Sequence, residues 1–177
     1  MIRVKVLGEA GYEHALLGLS LSYNVDVDKM PKVAERLSIR DNGENKFLES
    51  MVIWLEIRAP RYWFQQFSTY RVGVTTQSES TMHTIMRRHL TGADFSGSVR
   101  LDHISWLNSL INRGDFQRVK ANLPEGFMQR RVVCMNYKSL RHMFSQRYNH
   151  RLHEWHDFLN GVLEQIGHPE FIGNKEN

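Results

Sequence analysis

Residues Met51 to Ile57 alternate strictly, with Met51, Ile53, Leu55 and Ile57 on one side and Val52, Trp54 and Glu56 on the other. A period of two is strand periodicity, so the chain must build a β-sheet around this run. Ala59-Pro60 closes the run. Tyr62, Trp63, Phe64 and Phe67 follow at the spacing of a buried helical face, and proline is tolerated at a helix start. The aromatic run reads first as a core stripe.

The remaining chain mixes the same two element types. Val4 and Val6 predict a short strand, and the segment from Ala10 to Tyr23 a helix with Leu16, Leu17, Leu19 and Leu21 inside. Pro31 suits the first turn of a second helix carrying Val33, Ala34 and Leu37, and the polar stretch Ser38 to Asn45 reads as a loop. Residues 72–80, VGVTTQSES, read as a loop feeding a helix over TMHTIMRRHL, and Thr91 to Ser98 as a glycine-bearing loop. Leu101, Ile104, Leu107, Leu110 and Ile111 predict a helix stopped near Gly114. After Leu123-Pro124-Glu125-Gly126 come a strand, Gln129 to Asn136, and one long helix from Lys138 towards Ile166 with Gly167 as its cap. The expected class is α/β or α+β, and 177 residues fit one domain, residues 1–177.

Composition narrows function by exclusion. Hydrophobic residues at 41% and charged residues at 24% describe a globular chain, and no stretch approaches a membrane span. The N-terminus lacks the apolar run of a secretion signal, so a cytoplasmic location is expected. Cys134 is the only cysteine, which rules out an intrachain disulfide and suits a reducing compartment; within VVCMN it reads as a buried strand residue. The formal charge of +4 suggests an anionic partner. Its basic residues are scattered and no nucleic-acid-binding signature is present, which favours a nucleotide over a nucleic acid. His150, His153 and His156 recur every three residues, whereas helical zinc motifs prefer i and i+4, so they read as a solvated or interface face and no metal is expected.

Three segments in order resemble the flavin-dependent thymidylate synthases. GENKFLESMVIWLEIRAP, Gly43 to Pro60, matches that family's Gly-His-x-x-x-x-Glu-His, strand and Ala/Cys-Pro. FQQFSTYRVGVTTQSES lies where the family carries Arg-Gln-x-x-Arg-His-Arg, seven residues and Ser-x-Arg-Tyr. NLPEGF and then NYKSLRHMFSQRYNHRLHEWH resemble Leu-Pro followed by Asn-x-x-Ser-Leu with a downstream Phe and Arg, and Asn136, Ser139, Leu140 and Arg147 are the positions that carry the likeness. The resemblance covers about residues 2 to 172 and implies a central mixed or antiparallel sheet flanked by helices.

It also implies the chemistry: reductive methylation of dUMP or a related pyrimidine nucleotide at C5, with methylenetetrahydrofolate, NADPH and FAD, in a homotetramer with shared sites. The protein then supplies placement and charge rather than a strong nucleophile. By resemblance, Arg147 stands at the ring-polarising catalytic and substrate-binding position. Gln66, Gln77, Ser78, Glu79, Ser80 and Lys120 stand at substrate positions, and Ser50, Thr69, Tyr70, Arg71 and His142 at cofactor positions. The residues alone leave Arg147 and Arg71 open to a second reading as solvated helix arginines, and Gln66 as a satisfied buried amide.

Several positions depart from the pattern. The family's Glu-His ends at Ser50, Arg-His-Arg reads Thr69, Tyr70, Arg71, and Ser-x-Arg reads Glu79, Ser80, Thr81. Lys120 keeps the charge of a family arginine without its planar fork. Glu79 would repel a phosphate by about 1 kcal/mol at 4 Å even in water. These losses predict weak FAD binding and leave two alternatives: a nucleotide-binding or interaction protein without flavin chemistry, or a hydroxymethylase-like enzyme. Trp54, Tyr62, Trp63 and Phe64 together suggest more aromatic surface than one core needs, hence an oligomer.

Overall fold

The computed structural model describes residues 2–41, 43–97 and 99–173. Strands β1 (Arg3–Ala10), β2 (Val52–Pro60), β3 (Val74–Ser78) and β4 (Met128–Asn136) form an antiparallel sheet in the order β1-β2-β4-β3. The alternation read from Met51 to Ile57 holds: Ile53, Leu55 and Ile57 are fully buried, while Trp54 on the opposite face keeps 39% of its surface. On β4, Val133 and Met135 join the buried face, and Val132 stays exposed on the other.

The helices are α1 (Tyr12–Tyr23), α2 (Met30–Ser38), α3 (Arg61–Phe67), the single turn α4 (Thr81–Thr84), α5 (Leu101–Asn112), α6 (Phe116–Asn122), α7 (Tyr137–Arg147) and α8 (His153–Leu163). Of these, α1, α2, α3, α7 and α8 pack on the buried face of the sheet. The main core joins the sheet to Trp63, Phe64 and Phe67 of α3, Leu140 and Met143 of α7, and Trp155, Phe158 and Leu159 of α8. Trp63 and Trp155 pack with ring centroids 4.7 Å apart. Burial of each such large side chain contributes about 1.5–3 kcal/mol, which fixes α3 against α8. A second cluster, Ile85, Leu90, Phe95, Ile104, Leu107, Leu110, Val119 and Leu123, lies beneath α5 and α6.

Two glycines permit close approaches that matter for the site. Gly11 adopts φ 100° between β1 and α1, where a Cβ would stand 2.2 Å from the Ser50 carbonyl oxygen. Gly73 adopts φ 65° at the entry to β3, and a Cβ there would stand 2.2 Å from Asn136 Nδ2. A side chain at either position would push apart segments that the fold brings together.

The structure corrects several expectations. Residues 74–78 form edge strand β3 rather than a loop, because β-branched Val74, Thr75 and Thr76 pair with β4. The helix expected over 81–90 is only the turn α4, and α6 was not foreseen because its one buried residue, Val119, gives no periodicity. The long C-terminal helix is broken between α7 and α8, and α8 is capped at Glu164 rather than Gly167. Leu17, Leu21 and Leu101 point outward, since α1 and α5 each bury a single stripe. Cys134 lies on β4 as expected but on the uncovered face, only partly buried. Trp63 and Phe64 fit wholly inside one core, so of the aromatics taken to imply an oligomer only Trp54 and Tyr62 keep exposed surface. Ser98, at the end of the expected loop, lies outside the described residues.

Candidate active site

The first group of site residues gathers where α3 ends, α7 ends and α8 begins. Trp155 is fully buried, and its indole N–H needs an acceptor; Gln66 Oε1 accepts it at 3.0 Å. Arg147, the last residue of α7, donates from Nε to the Tyr70 hydroxyl at 2.8 Å. Its guanidinium carbon lies 5.6 Å from the Tyr70 ring centroid and 5.4 Å from that of Trp155, so two aromatic rings hold the cation. The Tyr70 hydroxyl donates in turn to Gln146 Oε1 at 3.0 Å, and the Tyr70 ring meets His142 edge-on at 6.0 Å. Gln66, Tyr70, His142 and Arg147 therefore form one contiguous set around Trp155.

Beside this set lies a cavity of about 690 Å³. Thr69, Tyr70, Arg71 and His142 line it, together with Asn136, Lys138, Ser139 and Arg141, which had not been assigned a site role. Asn136 was legible as a helix start, and it does cap α7, accepting Ser139 N–H at 2.8 Å. Much of the polar lining is already engaged. Thr69 Oγ1 donates to the Gln66 carbonyl, Ser139 Oγ to the Val72 carbonyl, Lys138 pairs with Glu49, and Arg141 donates to the Ile172 carbonyl. Arg71 is exposed at the rim. Ser50 is exposed, with its hydroxyl donated to the Phe47 carbonyl at 2.7 Å; its neighbour Glu49 is the residue that reaches the cavity.

The second group sits on the edge strand. Gln77 and Ser78 pair with Val132 and Arg131 of β4, and Glu79 N–H donates to the Arg130 carbonyl at 2.8 Å. Ser80 precedes α4, and Lys120 from α6 donates to Thr81 Oγ1. Gln77, Ser78 and Glu79 are exposed. Lys120 thus joins the segment from Gln77 to Ser80, and this second group makes no hydrogen bond to the first within one chain among the described residues.

Of the histidine series, His150 lies in the break between α7 and α8, while His153 and His156 both fall on α8. His150 Nδ1 accepts the Leu152 N–H at 3.0 Å, and His156 packs against Tyr148 with ring centroids 5.2 Å apart. Among the described residues no group of His, Cys, Asp and Glu has the geometry of a metal site, and no helix is long and apolar enough to cross a membrane.

The profile of the thymidylate synthase complementing protein family matches residues 22–167. Among solved structures, the flavin-dependent thymidylate synthase of Helicobacter pylori complexed with FAD and dUMP superposes with a TM-score of 0.83 at 15% identity, covering 96% of this chain and 97% of that one. Thymidylate synthase X from Helicobacter pylori with FAD and dUMP gives 0.81 at 14% identity, with 97% of both chains covered. At such identity the likeness shows the fold, an α/β arrangement with an antiparallel sheet flanked by helices. No curated protein sequence matches.

Proposed function

Since the chain belongs to the thymidylate synthase complementing protein family, the flavin-dependent thymidylate synthases, as a divergent member, we propose that it reductively methylates dUMP or a close pyrimidine relative at C5. The observation that carries this reading is Arg147. Its Nε is fixed by Tyr70 and its plane is flanked by Tyr70 and Trp155, while its two Nη groups make no hydrogen bond among the described residues. A fixed guanidinium with free donors can receive the edge of a pyrimidine ring and stabilise negative charge developing on it, as a preorganised donor does, for about 2.7–4 kcal/mol.

The cavity beside it fits an anionic cofactor in part. Arg71, Lys138 and Arg141 bring cations to it and Tyr70 and His142 ring surface, but Glu49 pairs with Lys138 and Asp41 with Arg141, so that among the described residues Arg71 is the cation of the three without a carboxylate partner and the one suited to a diphosphate. Bound FAD would supply the hydride, with methylenetetrahydrofolate as carbon donor and NADPH as reductant. Arg71 would hold the diphosphate, and the Asn136 amide and Lys138 would orient it. The segment from Gln77 to Ser80, with Lys120, would take the nucleotide phosphate. Because this segment makes no hydrogen bond to Arg147 or Gln66 within one chain among the described residues, the reading includes a homotetramer, cytoplasmic and built from one domain per chain, in which a neighbouring copy completes each site.

One observation favours a second reading, a nucleotide-binding protein without flavin chemistry: Ser50, Thr69 and Ser139 already spend their hydroxyls on backbone carbonyls. Titration of FAD, followed by flavin fluorescence with dUMP present, separates the two. Weak, saturable binding is expected; tight stoichiometric binding removes the argument from lost donors, and no binding at high micromolar FAD makes the second reading the better one.

A further inference from the structure

Arg131 is a partly buried cation with no acid partner among the described residues. It stands on β4 directly across from Ser78 of β3, on the face that packs against α3. Its guanidinium lies 4.0 Å from the Phe64 ring centroid. It donates to Ser68 Oγ at 3.4 Å and Gln129 Oε1 at 3.3 Å, and its Nε is buried without a hydrogen-bond partner. Among the described residues no carboxylate lies within ion-pair distance of it, although Arg61, Arg88, Arg130 and Lys138 all have one. Burial lowers its pKa below the ordinary arginine value, with no carboxylate to raise it again.

A desolvated guanidinium is costly unless something neutralises it, and an aromatic face does so only in part. Side chains directly opposed on an antiparallel pair have Cβ atoms about 4.5–5.5 Å apart. Arg131 therefore borders the Ser78 side chain, and Lys120 reaches Thr81 three residues further along. Two cations flank the segment to which the phosphate of the nucleotide is assigned above. That segment carries Thr81 where the family pattern has an arginine, and it carries Glu79 in addition.

We propose that Arg131 is a phosphate-binding residue of this chain, supplying from the neighbouring strand the guanidinium that the segment Ser78 to Thr81 lacks. This rests on the nucleotide reading of the site and names the group that recognises the monophosphate. Ser68 and Ser78 stand on either side of it, and the phosphate meets the Nη donors that Ser68 and Gln129 leave over. Arginine suits this better than lysine, because its planar fork meets two phosphate oxygens at once while the Phe64 ring holds its plane.

Calorimetric titration with dUMP and with deoxyuridine, on the wild-type protein and on Arg131→Leu and Arg131→Lys, tests it. Arg131→Leu should weaken dUMP by about ten- to hundredfold, the range of one charged hydrogen-bonded contact, and leave deoxyuridine within about twofold. Arg131→Lys, which keeps the charge and guards against misfolding, should lose about tenfold for dUMP alone. Equal losses for both ligands would make Arg131 a packing residue, and unchanged dUMP affinity in both variants would overturn the proposal. A wild-type protein that binds dUMP no more tightly than deoxyuridine would instead defeat the nucleotide-phosphate reading itself.

Discussion

Tyr70 and Arg147 share one hydrogen bond whose direction is fixed by chemistry. Arginine Nε can only donate, so the Tyr70 oxygen must accept at 2.8 Å and send its own proton elsewhere, and Gln146 Oε1 at 3.0 Å takes it. A tyrosine thus stands where the family pattern has histidine and holds the arginine on which the proposed chemistry depends. Tyr70→Phe keeps the ring but removes the acceptor. It should weaken dUMP about tenfold, the effect of one hydrogen bond to a charged group, as read by calorimetry, and shift the melting temperature by only a few degrees.

Gln66 has a structural task that is separable from any ligand. Its Oε1 is the partner of the buried Trp155 indole N–H. Gln66→Leu leaves that donor unsatisfied and should cost about 1–3 kcal/mol, measured as a lower urea midpoint. An unchanged midpoint would show that the indole finds another acceptor.

How far the sequence reaches can be judged from particular residues. Met51 to Ile57 and Trp63, Phe64 and Phe67 were legible because strand and helix periods are local, and the core uses both as read. The break between α7 and α8 was not legible: Leu140, Met143, Leu152 and Trp155 continue an apolar pattern across it with no glycine or proline between. Strand β3 was missed because its polar residues form an exposed edge held by pairing to β4, a long-range contact. Within the site, Gln66, Tyr70, His142 and Arg147 lie in one contiguous set, whereas the segment from Gln77 to Ser80 with Lys120, assigned with Gln66 and Arg147 to the substrate, makes no hydrogen bond to that set within one chain among the described residues. Asn136, Lys138 and Arg141 were missed as lining because the junction of β4 and α7 brings them to the cavity, which only the folded chain reveals. Arg131 gave no signal, since its isolation from acids is a property of the fold.

Acid stability should report on Asp94. Side-chain hydrogen bonds from Arg88 hold its carboxyl below the usual carboxylate range, and the N–H and hydroxyl of Thr91 act in the same sense. A depressed folded-state pKa contributes stability above the unfolded value, about 3.9, and that contribution is lost as pH falls through the folded value. Asp94→Asn should therefore lower stability near neutral pH and flatten its decline below about pH 4. Because Arg88 is 61% exposed, the effect should be modest and shrink with added salt. Urea midpoints of the two proteins across this range would show it, and parallel curves would contradict it.

Glu79 is the acid in the segment assigned to phosphate. If that segment meets the nucleotide, Glu79→Gln removes a repulsion of about 1 kcal/mol and should tighten dUMP about fivefold at low ionic strength, fading as salt rises. Equal affinity of the two proteins at low salt would place the phosphate elsewhere.

The central claim is that this chain exchanges the hydrogen at C5 of a bound pyrimidine nucleotide with help from Arg147. Release of tritium to water from C5-tritiated dUMP, with FAD at high micromolar concentration, methylenetetrahydrofolate and NADPH, measures that step directly. The account predicts release that needs FAD and falls at least about a hundredfold in Arg147→Ala, as expected on removing one preorganised charge-stabilising donor. No release above background under these conditions, or release equal in wild type and Arg147→Ala, would contradict it.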